Sequence, residues 1–186
     1  MPAIFELDQY GTLPLWAQVL IAARMVRRGT LAMLAEGSAR QTILDACDAM
    51  ERCARQGEGT RREQKPLDAA KALREHPPRE APAIAESVWW AIDATRAAEA
   101  AQDFPIDATV TNSALNAIRS LSLDRRVLPL QLSILVAGDL DLVRFSCGEA
   151  RIGRYDGLTN YVFERLTPTH AIDLGEPRRS PEEDAR

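Results

Sequence analysis

APAIAESVWWAIDATRAAEAAQ, residues 81–102, is the stretch that decides the fold. Nine of residues 81–101 are alanine, the residue with the strongest helix preference. Pro82 suits a first turn, where its missing N–H costs nothing. Phe104-Pro105 marks the stop, because a residue before proline is pushed out of the α region. At about 100° per residue, Ile84, Val88, Ala91, Ile92 and Thr95 share one side. Ala83, Ala94, Ala97 and Ala101 lie elsewhere, and Trp89 and Trp90 leave the axis about 100° apart. Charge is confined mainly to Glu86, Asp93, Arg96 and Glu99. A helix that is apolar or small around most of its circumference is expected to be buried on several sides. It would be roughly 30 Å long, in a chain whose compact radius of gyration is roughly 16 Å. The expected fold is therefore all-α, a single-domain bundle of five to six principal helices around this alanine-rich one.

The flanking segments supply the enclosing helices. Residues 13–28, LPLWAQVLIAARMVRR, carry Pro14 in a first turn and Trp16, Val19, Leu20, Ala23 and Val26 or Arg27 at helical spacing. Arg24, Arg27 and Arg28 form a basic face near the C-terminal end, where positive charge complements the macrodipole. Gly29 is expected to kink or end this helix, with a further turn or two before Gly37. Residues 38–56 form the next helix, with Ser38 and Gln41 at capping-box spacing. Gly57 stands where a left-handed terminal residue belongs. Residues 57–65, GEGTRREQK, hold no large apolar side chain and read as a mobile loop. Residues 66–76 read as a short helix stopped by Pro77-Pro78. Asp107 is the expected cap of a helix running to about Ser122.

Residues 128–151 carry two periodicities. Alternation in 131–136 and 141–145 allows an α+β alternative with short strands in 130–155. The helical register puts Leu132, Leu135, Val136, Leu140, Val143, Cys147 and Ala150 on one side for five turns, so helix is preferred. Thr159 is placed to cap a last short helix. Residues 1–12 read as an irregular arm. The domain spans 1–172, and residues 173–186, polar and proline-bearing, read as a disordered tail. LDACDA from Leu44, LDAAKA from Leu67 and IDATRA from Ile92 share a pattern, but at unequal spacings of 23 and 25. That is shared amphipathic composition rather than a repeat.

Composition narrows the function classes. A net charge of −4, from 23 basic and 27 acidic residues, gives no general attraction to nucleic acid or to an anionic membrane. No apolar run approaches the roughly 20 residues needed to span a bilayer. The first residues lack the basic and apolar regions of a signal peptide. Three cysteines make an odd number, and Cys47 and Cys53 point about 120° apart on one helix. A cytoplasmic protein is expected.

Chemistry-bearing motifs are sparse. The histidines, His76 and His170, do not form the Glu-x-x-His pair of a di-iron bundle, and there is no Cys-x-x-Cys. No nucleophile elbow or phosphate-binding glycine loop occurs. Neither a metal nor a cofactor is expected. Asp139 and Asp141 point about 200° apart and do not chelate one ion together. Cys147 falls on an apolar stripe, which suits an inert thiol.

Two candidate sites remain. Trp89, Trp90, Asp93 and Arg96 are candidate ligand-binding residues, because a carboxylate beside indole rings suits a raised-pKa acid or a ligand anchor. Asp93 and Arg96 are also spaced to pair with each other. Arg24, Arg27 and Arg28 are candidate partner-binding residues for an acidic surface, or simply a solvated face. The leading expectation is a non-enzymatic, bacterial-type helical module that binds an unknown protein partner. The alternative is an enzyme or small-ligand binder with a pocket near Trp89, Trp90 and Asp93. A narrower version of the first is a toxin-neutralising protein. The run of Ala/Arg-rich helices is similar in layout to some bacterial immunity proteins. An enclosed pocket touching Asp93 and a tryptophan would favour the ligand reading; an open apolar surface would favour a protein partner.

Overall fold

Small side chains let helix axes approach closely, and the computed structural model of the chain shows where they do so. It describes residues 7–175, with side chains from residue 9 onward. The helices are α1 (Leu7–Gly11), α2 (Leu15–Met33), α3 (Ser38–Gln56), α4 (Gln64–Ala72), α5 (Pro82–Ala100), α6 (Asp107–Leu121), α7 (Pro129–Glu149) and α8 (Asn160–Arg165). No strand occurs among the described residues. The all-α expectation holds, and the short-strand alternative for 130–155 gives way to one continuous helix, α7.

The alanine-rich helix α5 packs against α2, α3, α4 and α6. Ile84, Val88, Ala91 and Ile92 are wholly buried, as are Ala94 and Thr95. α2 shares the centre. Every residue from Leu15 to Val26 is buried, and α2 touches α3, α5, α6 and α7. α5 is the more two-sided of the pair, since Glu86, Trp89, Trp90, Asp93 and Arg96 are only half-buried.

Gly29 does not end α2, which runs on to Met33. A Cβ there would lie 2.8 Å from both Ile84 Cδ1 and Leu121 Cδ2, closer than packed carbon atoms approach. The glycine is where α5 and α6 press on α2, so tertiary packing outweighs its local role as a breaker. A second close approach joins Gly57 to Gly157, where an added Cβ on Gly57 would sit 2.7 Å from Gly157 N. Gly57 has the expected left-handed φ of 76° and closes α3. The turn at Gly157 then lets Leu158 N–H reach Ala54 O at 2.7 Å.

Several local expectations are corrected. The capping box at Ser38 does not form: Gly37 precedes α3 without a side-chain cap, and Gln41 Nε2 donates to Asp45 instead at 2.7 Å. Asp107 begins α6 rather than capping it, and its carboxylate accepts from Arg154 Nε at 2.9 Å and from the Tyr155 hydroxyl at 3.3 Å. Thr159 precedes α8 without a side-chain cap. In both cases the side chain is not the acceptor that the local pattern suggests. Within the supposed irregular arm, residues 7–11 are helical, and buried Tyr10 donates its hydroxyl to Gln18 O at 2.6 Å; residues 1–6 lie outside the described part.

The 57–65 segment is tied down rather than loose. Glu99 of α5 accepts from Gly59 N–H at 2.7 Å and from the Thr60 hydroxyl, and Gln102 Nε2 donates to Gly57 O at 2.6 Å. After α8 the chain runs back as an extended strap. Ile172 is buried with its N–H on Arg28 O, and Gly175 N–H bonds Arg126 O at 3.0 Å. The expected tail thus begins inside the packed region; residues 176–186 lie outside the described part. One buried apolar cluster runs from Tyr10 to Ile172. No described helix is long and apolar enough to cross a membrane.

Candidate functional site

The outward strip of α5 collects the conspicuous side chains. Consecutive Trp89 and Trp90 leave the helix about 100° apart, Trp89 toward the end of α4 and Trp90 toward α6. Their rings meet edge to face, with centroids 4.8 Å apart and planes at 90°, a favoured aromatic geometry. On the α4 side, Arg74 and Lys71 stand over the Trp89 ring at 4.2 and 4.9 Å from its centroid. Glu86 joins the two halves: it accepts from Trp90 Nε1 at 2.9 Å and pairs with Arg74, Nε to Oε2, at 2.9 Å.

Asp93 and Arg96 do not pair with each other. Asp93 accepts from Ser113 Oγ of α6 at 2.8 Å, whereas Arg96 reaches Asp68 of α4 at 2.5 Å. Neighbouring helices on either side of α5 offer better-placed partners than the same helix does.

Open clefts flank this strip. One of about 750 Å³ lies between the start of α5 and the segment after α6, with Pro82, Ala83, Leu123 and Arg125 among its walls. A smaller one of about 240 Å³ is bounded by Trp90, Asn116, Arg119, Ser120 and Leu123. A third, of about 400 Å³, is bounded by Trp89, Lys71, Arg74 and Glu75 among others. Leu123 is the ridge between the first two and is 68% exposed. Asp93 borders none of the three. Arg119 and Arg125 are exposed and form no ion pair among the described residues. The sequence did not single out Leu123, Arg119 or Arg125, because nothing local says that the α6–α7 connection meets the tryptophan face.

The three arginines of α2 do not form a solvated face. Arg24 and Arg28 are buried, and both donate to Asp139 of α7. Arg24 contributes Nε at 2.8 Å and Nη2 at 3.1 Å; Arg28 contributes Nη2 at 3.2 Å. Arg24 also binds Thr167 O and Thr169 Oγ1 of the strap. Arg28 Nε finds no hydrogen-bond partner among the described residues. Arg27 turns the other way, to Asp48 at 2.6 Å and Glu51 at 3.1 Å on α3. Burial opposes its charge, but Glu51, Cys47 and Asp48 together raise its pKa. All three arginines are thus engaged within the chain. The readable signal was Asp139 itself, a charge in register with the apolar side of α7.

Reactive groups are sparse in this arrangement. Burial pushes the Cys47 and Cys53 thiols up to about 12 and that of Cys147 up to about 11, so all three stay protonated near neutral pH. Among the described residues no group of three or more His, Cys, Asp or Glu side chains is arranged to hold a metal ion. No family model, curated protein or solved structure matches the chain.

Proposed function

We propose that the chain is a helical protein-interaction module that engages a protein partner through the strip of Trp89, Trp90 and Leu123. The observation that carries this reading is a pair of half-buried tryptophans beside open clefts, on a helix otherwise committed to the core. Small-molecule sites are concave and bury most of their ligand. These clefts are open, and the two on the α6 side share an exposed leucine, Leu123, as a wall. Tryptophan and arginine are the residues that most often dominate the energetics of protein interfaces. Both occur here, with Arg119 and Arg125 free to meet carboxylates. The fitting partner presents apolar side chains to Trp90 and Leu123 and acidic ones to the two arginines. The three unpaired thiols support a reducing compartment, and we place the module in the cytoplasm.

The test uses the full chain and two variants at exposed positions, the charge-introducing Leu123→Glu and the charge-reversing Arg119→Glu. Each is first matched to the parent by thermal melt. Proteins captured from a lysate of the source organism are then quantified for all three. The reading expects a protein whose capture falls at least about tenfold in both variants. Capture that is indifferent to both substitutions contradicts it. So does a small molecule retained by the parent in native mass spectrometry and lost from the variants.

A further inference from the structure

α7 is apolar on both sides, unlike an ordinary surface helix. Its inner side, including Leu132, Val136 and Val143, packs on the protein. Its outer side carries Leu130, Ile134 and Phe145, which are 73%, 62% and 60% exposed. At about 100° per residue these three, with Ala137, Gly138 and Asp141, fall within one stripe about 100° wide. Together they expose on the order of 400 Å² of apolar surface, within the size range of functional patches on a monomer.

We propose that this stripe is the contact through which two copies of the chain associate, antiparallel, about a two-fold axis at Ala137 and Gly138. Three features favour a second copy over an unrelated partner. The first is the order of residues along the stripe. Large apolar side chains stand at both ends and the smallest two at the middle, so reversing the helix places Leu130 of one copy against Phe145 of the other, with Ile134 opposite Asp141 between them. A two-fold contact requires this self-complementarity. At the crossing point Ala137 is exposed and nothing lies within 4 Å of a Cβ built on Gly138, so a second helix axis can come close.

The second feature is charge. α7 has no acid in its first turn and no base in its last, and it ends on the acid Glu149. Its macrodipole is therefore uncompensated within its own sequence at both ends. An antiparallel copy brings the positive end of one helix to the negative end of the other. Asp141 is the one charge on the stripe; Arg144 stands 3.8 Å from it on the same helix. The two Asp141 side chains lie about 10 Å apart along the pair.

The third is area. A symmetric contact removes about 800 Å² of apolar surface from water, close to the apolar share of a small stable interface. None of the stripe residues borders the clefts beside Trp89 and Trp90, so the contact leaves the proposed partner strip open and stands independently of it.

Light scattering on a concentration series of the full chain is the first measurement. The mass should rise from 20.6 kDa toward twice that value, and Phe145→Glu should weaken the association at least about tenfold. Cysteine crosslinking fixes the geometry, because the native thiols are all buried. Under mild oxidation Gly138→Cys, at the axis, should give a disulfide-linked dimer. Leu130→Cys should not, since its two copies lie about 22 Å apart along the pair. The double variant Leu130→Cys with Phe145→Cys should crosslink again. Melts of each variant matched to the parent show that the exposed positions leave the fold intact. A monomer at all concentrations overturns the proposal. So does a dimer unaffected by Phe145→Glu, or equal crosslinking at positions 130 and 138.

Discussion

Arg24 and Asp139, 115 residues apart in sequence, meet in a buried two-point contact, with Nε on one carboxylate oxygen at 2.8 Å and Nη2 on the other at 3.1 Å. Arg28 adds a donor from the next turn of α2. The pair fastens α7 to α2, and the strap crosses it through Thr167 and Thr169. Asp139→Ala leaves two buried guanidinium groups without their anion. Breaking a buried pair from one side costs about 3–5 kcal/mol. Arg27→Ala, whose acids Asp48 and Glu51 are 53% and 27% exposed, should cost about 1 kcal/mol or less. Denaturant melts of the two variants compare these values directly.

Gly29→Ala tests the crossing of α2, α5 and α6. Alanine favours helix over glycine by about 1 kcal/mol, so local propensity alone predicts stabilisation. The added Cβ meets Ile84 and Leu121 at 2.8 Å, and overpacking of a filled core costs about 1–3 kcal/mol. The expected result is a lower melting midpoint, and a lower one still for Gly29→Val.

Glu99 gives the 57–63 segment a pH dependence. Burial raises its pKa, but hydrogen bonds from the Thr60 hydroxyl and from the Gly59 and Thr60 backbone outweigh that and hold it below the ordinary 4.5. A carboxyl depressed in the folded state stabilises it above the unfolded value, and the benefit fades as pH falls through the folded value. Amide exchange at Gly59 and Thr60, corrected for intrinsic rates, should therefore show protection at neutral pH that persists through the ordinary carboxylate range and is lost only on further acidification. Glu99→Gln should loosen the segment at neutral pH and expose it to proteolysis.

Cys47, Cys53 and Cys147 should resist alkylation in the native chain at pH 7–8 and react once it is unfolded. Burial raises their thiols to between about 11 and 12. Intact-mass counting of adducts with and without denaturant checks this. Rapid native labelling of any one of them would place that thiol outside the core.

The helices themselves were legible because periodicity and stop signals agree over long runs. The inner sides of α5 and α7 came out as their spacing implies, from Ile84 to Thr95 and from Leu132 to Cys147. What local pattern does not encode is which helix lies across which. Gly29 reads as a breaker until Ile84 and Leu121 are seen against it. Asp93 and Arg96 read as a pair until Ser113 and Asp68 supply closer partners. The arginines of α2 read as solvent-facing because Asp139 lies more than a hundred residues away. At the candidate site the tryptophans were visible in the sequence, whereas Leu123 and Arg119 reach them only through the packing of α6 on α5.

The two-sided character of α5 is read most directly from Ile92→Ala beside Trp89→Ala, each followed by denaturant unfolding. Ile92 is wholly buried, and its truncation should lower stability by about 2–5 kcal/mol with an unchanged slope. Trp89 is half-buried beneath Lys71 and Arg74, and losing the ring should cost about 1 kcal/mol. Midpoints that shift equally, or further for Trp89, would contradict a helix whose inner side holds the fold and whose outer side is free to bind.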